Sequence, residues 1–291
     1  MKSVLPILTV VVAIVLIWYA AAIPMNAQWA RDQAARADTT LTTSELIADT
    51  LSQDRPRLPA PHQVVVELWN STGDMVLAGR GLSNRSLILH AWYTLSATLL
   101  GFAIGTAAGI LLAVGIVYNR AMDMAVMPWA IASQTIPILA IAPMIIVVLN
   151  SVGVQGLVPK AIISAYLSFF PVVVGMVKGL RSPNASQLDL LQTYNASRNN
   201  SFWKLRLPSS MPYFFTALKI GIAAALVGAI VGELPTGAVR GLGARMLSGS
   251  YYGQTIQIWS ALFAAALLAA ALVGIVGLIE RLMLRRMGME Q

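Results

Sequence analysis

The chain has 291 residues, of which 57% are hydrophobic and only 11% charged, and it contains no cysteine. Soluble domains carry about 25% charged residues, so much of this surface does not face water, and disulfides and thiolate metal sites are excluded. A formal charge of +8 would suggest nucleic acid on a soluble protein. On a membrane protein basic residues collect at the cytoplasmic face and fix topology, and no nucleic-acid partner is expected.

Six apolar runs stand out, at 4–23, 88–118, 124–150, 156–178, 213–234 and 256–280. A spanning helix needs about 20 apolar residues, because roughly 30 Å of hydrocarbon is crossed at about 1.5 Å per residue. Irregular backbone cannot face lipid. The expected fold class is therefore an all-α membrane protein with about six transmembrane helices. The first run follows Lys2 and ends near Ala20, Ala21 and Ala22. It reads either as a retained helix over 1–23 or as a cleaved secretory signal; its length exceeds the usual core of about 7–15 residues and favours the helix.

A hydrophilic stretch over 24–87 follows. Thr43 or Ser44 is placed to cap a short helix from Glu45 to Leu51. Arg55-Pro56-Arg57-Leu58-Pro59-Ala60-Pro61 interrupts the chain, and Val64, Val65, Leu68 and Trp69 then share a helical face that suits a helix lying at the membrane interface. Gly101, Gly105 and Gly109 form a repeated small-xxx-small pattern, which lets helices approach closely. Pro137 and Pro143 mark a kink in the third run, beside the permeation path or as an ordinary membrane kink. Gln134 and Thr135, one turn earlier, are polar at membrane depth and face either substrate or a neighbouring helix. Glu233 lies at the end of the fifth run. An acid there is costly unless paired or hydrated, so it either gates or lines the path or meets water at the interface.

With both termini cytoplasmic, the inner side holds eleven basic residues, Lys2, Arg120 and the Arg281–Arg286 cluster among them, against four acidic ones, a net of +7. The outer side holds nine basic and eight acidic residues, a net of +1. Positive charge collects inside, as the topology rule requires. The expected organisation is a first helix over 1–23, an external segment over 24–87, a core over 88–286 with an inner loop at 179–212, and an inner tail over 287–291.

No catalytic machinery is apparent. The phosphate-binding pattern Gly-x-x-x-x-Gly-Lys-Ser/Thr is absent, and Gly-Lys occurs nowhere. His62 and His90 have no second metal ligand at helical spacing. No serine has a histidine and carboxylate arrangement that marks a triad. The expectation is a non-enzyme with no cofactor or metal.

The inner loop carries the sharpest signal. Gln187-Leu188-Asp189-Leu190-Leu191-Gln192-Thr193-Tyr194-Asn195-Ala196-Ser197 reads as a short helix closed near Asn195, since Asn takes the left-handed conformation more readily than any residue but Gly. Phe202-Trp203-Lys204-Leu205-Arg206-Leu207-Pro208 then leads into the next span. This resembles the EAA loop in the permease subunits of bacterial binding-protein-dependent ABC importers: Glu-Ala-Ala, three residues, Gly, about ten residues, then aliphatic-x-Leu-Pro. Asp189, Leu190 and Leu191 match Glu-Ala-Ala in part, and Asn195 stands where Gly is usual. Ala196 and Ser197 follow as in the family, and Leu205, Leu207 and Pro208 match its end. Leu58-Pro59-x-Pro61, Pro137-Ile138-Leu139-Ala140-Ile141-Ala142-Pro143, Gly232-Glu233 and Gly241-Leu242-Gly243 resemble further family segments. The likeness covers 58–286 and is nearest to the nitrate/sulfonate/taurine branch; 24–57 looks like an insertion.

The resemblance implies an ABC type I importer-like permease fold in the bacterial inner membrane. It implies cytoplasmic ATPase subunits that bind ATP, an external binding protein that delivers a small solute, and a second permease copy, most simply a homodimer. It assigns ATPase coupling to Asp189, Leu190, Leu191, Tyr194, Asn195, Ala196, Leu207 and Pro208, with Leu191 and Tyr194 central. Path positions would be Gln134, Thr135, Pro137 and Glu233. The rival reading is an ion-gradient-driven secondary transporter, which commonly holds buried acids at the midplane; here Glu233 lies at the outer end of its span.

Overall fold

The computed structural model describes residues 4–235 and 237–289. Lys2 and Glu290, both counted in the charge balance, lie outside the described residues. Every regular element among the described residues is helical. In chain order these are α1 (Val4–Arg36), α2 (Thr43–Ser52), α3 (Pro61–Ser71), α4 (Gly73–Leu77), α5 (Leu87–Tyr118), α6 (Arg120–Ser133), α7 (Ile138–Ser151), α8 (Leu157–Leu180), α9 (Ala185–Thr193) and α10 (Arg198–Ser201). A π-helical turn over Phe202–Arg206 leads into α11 (Leu207–Glu233), followed by α12 (Leu242–Tyr251) and α13 (Thr255–Arg286). Five helices are long and apolar enough to cross a membrane, and α6 with α7 forms a sixth candidate bent by 100°.

The chain forms two compact units, residues 1–91 with 244–265 and residues 92–243 with 266–291. In the first, α1 runs past the expected end at residue 23 to Arg36, because Ala, Gln and Arg dominate 27–36 and favour helix. Asn26 is fully buried on α1. Its carbonyl oxygen accepts from the backbone N–H of Arg57 at 2.8 Å and of Leu58 at 3.2 Å, and its amide donates to the carbonyls of Thr50 and Leu58 at 3.0 and 2.9 Å. The proline-rich segment is thus hydrogen-bonded to α1 although it has no regular structure of its own. Trp18 adds a bond to the Pro59 carbonyl at 2.9 Å and packs against Trp259 and Phe263 of α13.

Two expectations for this unit shift. Thr42, not Thr43 or Ser44, caps α2, in a reciprocal box with Glu45. On α3, Val64 is buried and Val65 and Trp69 are exposed, so the four apolar residues do not share one face.

The second unit is built on close helix approach. A Cβ on Gly101, Gly105 or Gly109 of α5 would come within 2.4, 2.2 or 2.8 Å of Ser164, Ser168 and Val172 of α8. The matching four-residue steps let the two backbones lie against each other. Ser164 in turn donates to the Ala225 carbonyl of α11 at 2.8 Å. Below this stripe Ile116, Val172, Val173, Met176 and Leu180 form a buried apolar core. Gly105→Val should lower abundance and the thermal midpoint in detergent, since overpacking a close contact costs about 1–3 kcal/mol and the Ala165 carbonyl, 2.8 Å from the new Cβ, is backbone. Gly277→Val, with nothing within 4 Å, should leave both unchanged.

Candidate functional site

Contacts within the second unit define its two ends. At one, Asp123 of α6 pairs with Arg181 after α8 at 2.9 Å, Tyr118 of α5 packs on Phe202, and Arg206 donates to the Leu180 carbonyl at 2.8 Å. At the other, Thr94 of α5 bonds Glu233 of α11, and Gly232 lies against Lys160 of α8. Since α6 starts at the first end and α8 starts at the second, α6 and α7 together lead from one to the other. They form one candidate span, bent by 100° at a break over 134–137.

A kinked but continuous helix was expected here, and the structure corrects this to a break. Proline alone does not explain it, because Pro128 and Pro143 sit inside α6 and α7. The break falls where polar side chains precede Pro137. Pro137 supplies no N–H and disfavours helical backbone at Ile136. Ser133 and Thr135 hydroxyls donate to the carbonyls of Ala130 and Ala132, both at 2.7 Å, and the Tyr166 hydroxyl donates to the Ser133 carbonyl. The last carbonyls of α6 are thereby satisfied without a further helical turn. Thr135 bonds within its own helix end, not across to a neighbour. Gln134, Thr135, Ile136 and Pro137 are all exposed on the single chain. Non-helical backbone at membrane depth must line water or be covered by protein.

At the Asp123 end, α9 is held by its own chain. The Asn184 N–H donates to Gln187 Oε1 at 3.0 Å at its start. Asn195 has φ +52°, the left-handed conformation expected of it. The Ala196 N–H bonds the Leu191 carbonyl at 2.9 Å and the Asn195 N–H bonds the Gln192 carbonyl at 2.8 Å, the paired bonds of a Schellman closure. The apolar residues of α9 divide between two faces. Leu188 and Leu191 are half-buried, whereas Leu190 is 56% and Tyr194 77% exposed. The outward pair is thus Leu190 and Tyr194, one helical turn apart, and Leu191 is not its centre as the sequence suggested. Asp189 and Asn195 are exposed, Ala196 half-buried.

Leu207 and Pro208 follow the π-helical turn, in which the Leu207 N–H reaches the Phe202 carbonyl. Pro208 has no N–H to continue the α-helical ladder, and the wider turn accommodates it. Leu207 packs on the apolar core, and Trp203 is 60% exposed.

At the opposite end, Glu233 is fully buried. It neither meets water nor faces an open path in this conformation. Its Oε1 accepts from the Thr94 hydroxyl at 2.8 Å and its Oε2 from the Gly243 N–H at 2.7 Å. Thr94 also accepts from the Leu242 N–H at 2.8 Å, which commits the hydroxyl proton to Glu233. The carboxyl group therefore caps the first turn of α12 from outside that helix. Gly241 has φ +132°, and a Cβ there would lie 2.2 Å from the Glu233 carboxyl carbon. Both the backbone conformation and the close approach require glycine. Sequence reasoning missed Thr94; α5 carries Thr94, Ser96, Thr98 and Thr106, and nothing in the sequence singles out the one that meets Glu233.

A multi-pass, all-helical protein with one broken span and a short helix projecting beyond the spans is a membrane transport subunit in class. The chain belongs to the family of binding-protein-dependent transport system inner membrane components, whose model matches residues 105–289. It is 33% identical over 186 residues to the formylaminopyrimidine transport permease protein ThiX of Halalkalibacterium halodurans, covering 64% of this chain and 68% of that protein. It is 31% identical to the riboflavin transport system permease protein RibX of Chloroflexus aurantiacus, covering 78% and 80%. With the nitrate import permease protein NrtB of Leptolyngbya laminosa it shares 26% identity over 75% and 74%. It is a permease subunit of ABC import systems and a multi-pass protein of the inner membrane.

Proposed function

We propose that this chain forms half of a translocation path for a small solute delivered by an external binding protein, and that cytoplasmic ATPase subunits drive it through α9. ATP is bound by those subunits. A second copy of the chain completes the path and covers the exposed break at 134–137, where Gln134 and Thr135 line the water-filled side. The ATPase cleft receives Leu190 and Tyr194, with Asp189 at its rim, while Leu191, Asn195, Ala196, Leu207 and Pro208 hold α9 in place. Transport needs two states with different affinity for the solute, and the broken span is the element in which inward and outward openings can differ. Glu233 acts by fastening the α11–α12 connection at the outer end.

The observation that carries this reading is α9, a nine-residue helix outside the spans, closed by its own chain at both ends, that shows apolar side chains to solvent. A surface helix with no partner does not gain from exposing Leu190 and Tyr194.

The reading requires α9 and both termini to be cytoplasmic. Cysteines placed at Ala48 and Asp74 should react with an impermeant thiol reagent added to intact cells, and cysteines at Gln192 and Met289 should react only after permeabilisation. Labelling of Gln192→Cys from outside would end the coupling assignment.

A further inference from the structure

A cavity of about 430 Å³ opens at the start of α8, with Trp92, Gly156, Leu157, Lys160, Val239 and Arg240 among its lining. That volume suits a small organic molecule. The two cations in the lining differ. Arg240 is engaged: its Nη1 donates to the Tyr93 hydroxyl at 2.6 Å, and its guanidinium lies 5.3 Å from the centre of that ring. Lys160 is only 9% exposed and has no hydrogen-bond or ion-pair partner among the described residues. Glu233 does not neutralise it, for its two carboxyl oxygens face the Thr94 hydroxyl and the Gly243 N–H.

An ammonium group held out of water without a partner is expensive, and its place in a spanning helix marks a functional position by default. A lysine that only anchors a helix at the interface keeps its ammonium in water, which a residue so enclosed does not do. A topology signal belongs on the cytoplasmic side, and Lys160 stands at the other end. The helix start adds to its charge. Gly156 caps the 24-residue α8 at φ +77° and brings no side chain to its first-turn N–H groups. The positive end of that helix and Lys160 therefore meet at one hollow, as anion sites at helix N-termini require. Beside the charge, Trp92 and Val239 present apolar surface, at 62% and 78% exposure.

We propose that this hollow is an entry site for a small solute that carries one anionic group on an aromatic or apolar body. The anion sits at Lys160 and the start of α8, and the body lies against Trp92, whose ring offers a flat face. The proposal rests on the reading of this chain as half of a translocation path. Binding is measured on the chain without an ATPase, so a failure here leaves the coupling assignment standing, and uptake driven by an ion gradient would remove that assignment without touching this site.

The test is calorimetric titration of the full chain in nanodiscs of neutral phosphatidylcholine, with benzenesulfonate as the probe and benzenesulfonamide as its neutral counterpart. Wild type should bind the sulfonate and not the sulfonamide. Lys160→Met should weaken binding about ten-fold, the effect of one hydrogen bond to a charged group. Its thermal midpoint should be no lower than that of wild type, since the change removes a buried charge that has no partner. Trp92→Ala should weaken benzenesulfonate about three-fold and leave the affinity for inorganic sulfate unchanged. Equal binding by Lys160→Met, equal binding of the sulfonamide, an unchanged benzenesulfonate affinity in Trp92→Ala or a lower midpoint in Lys160→Met would each overturn the proposal. Competition by phosphatidylglycerol added to the nanodiscs would also overturn it, by assigning the hollow to a lipid headgroup.

Discussion

Leu190→Asp should abolish ATP-driven uptake while leaving the protein at wild-type abundance. Leu190 is more than half exposed on the single chain, so the change removes little of the protein's own packing. In the proposed complex the same position sits in an apolar cleft, where an unpaired carboxylate costs about 3 kcal/mol. That is on the order of a hundred-fold in the affinity of α9 for its partner. Tyr194→Asp should act the same way. Leu191→Asp should instead reduce abundance as well as transport, because Leu191 is half-buried against its own chain. Two further variants separate contact from shape. Asn195→Gly should be mild, since glycine takes a φ of +52° without strain. Asn195→Val should be damaging, because a β-branched residue there is strained. Uptake assays paired with quantitative immunoblots distinguish these outcomes, and normal transport by Leu190→Asp at normal abundance would remove α9 from the coupling path.

Glu233→Leu should cut abundance several-fold. It removes the acceptor for both the Thr94 hydroxyl and the Gly243 N–H, at a site with no water access. Each buried donor left without a partner costs about 1–3 kcal/mol, and losses of 1–2 kcal/mol already change abundance several-fold in cells. Thr94→Val should be damaging too, since the Leu242 N–H then loses its acceptor. The two substitutions share one network, so the double variant should be less harmful than the separate effects combined, by about 0.5–3 kcal/mol. Thermal unfolding of the three variants in detergent reads that coupling directly. Strict additivity would mean that Glu233 does not work through Thr94. Gly241→Ala should match Glu233→Leu, for its Cβ would overlap the carboxyl group.

How far the sequence disclosed this molecule depended on the range of the interactions involved. Apolar length is a local property, and five of the six expected spans stand as single helices. The closure of α9 at Asn195 was legible for the same reason, because left-handed backbone is a property of one residue. The third run was misjudged because prolines within membrane helices are common. What breaks the span at Pro137 is the set of hydroxyls that satisfies the end of α6, one of which, Tyr166, comes from a different helix. Glu233 stands out as an acid in an apolar context, but its partner Thr94 is 139 residues away, and Gly243, 10 residues on, meets it only because the chain turns back after α11. Without them its role read as gating or hydration, not capping. The orientation of α9 was off by one residue: which of two adjacent leucines faces outward is decided by what lies beneath the helix. Asn26 gave no signal, since a single amide in a polar stretch looks like any surface residue until the proline-rich segment folds onto it.

The central claim is that this chain transports only when a separate ATPase works through α9. Purified chain reconstituted into liposomes with its co-purifying ATPase, and supplied with the external binding protein and solute, should accumulate that solute when ATP is present on the α9 side. Omitting the ATPase, omitting ATP or substituting Leu190→Asp should each reduce uptake to background, and imposed proton or sodium gradients should not restore it. Uptake by the chain alone driven by an ion gradient, with the ATPase absent, would contradict the account.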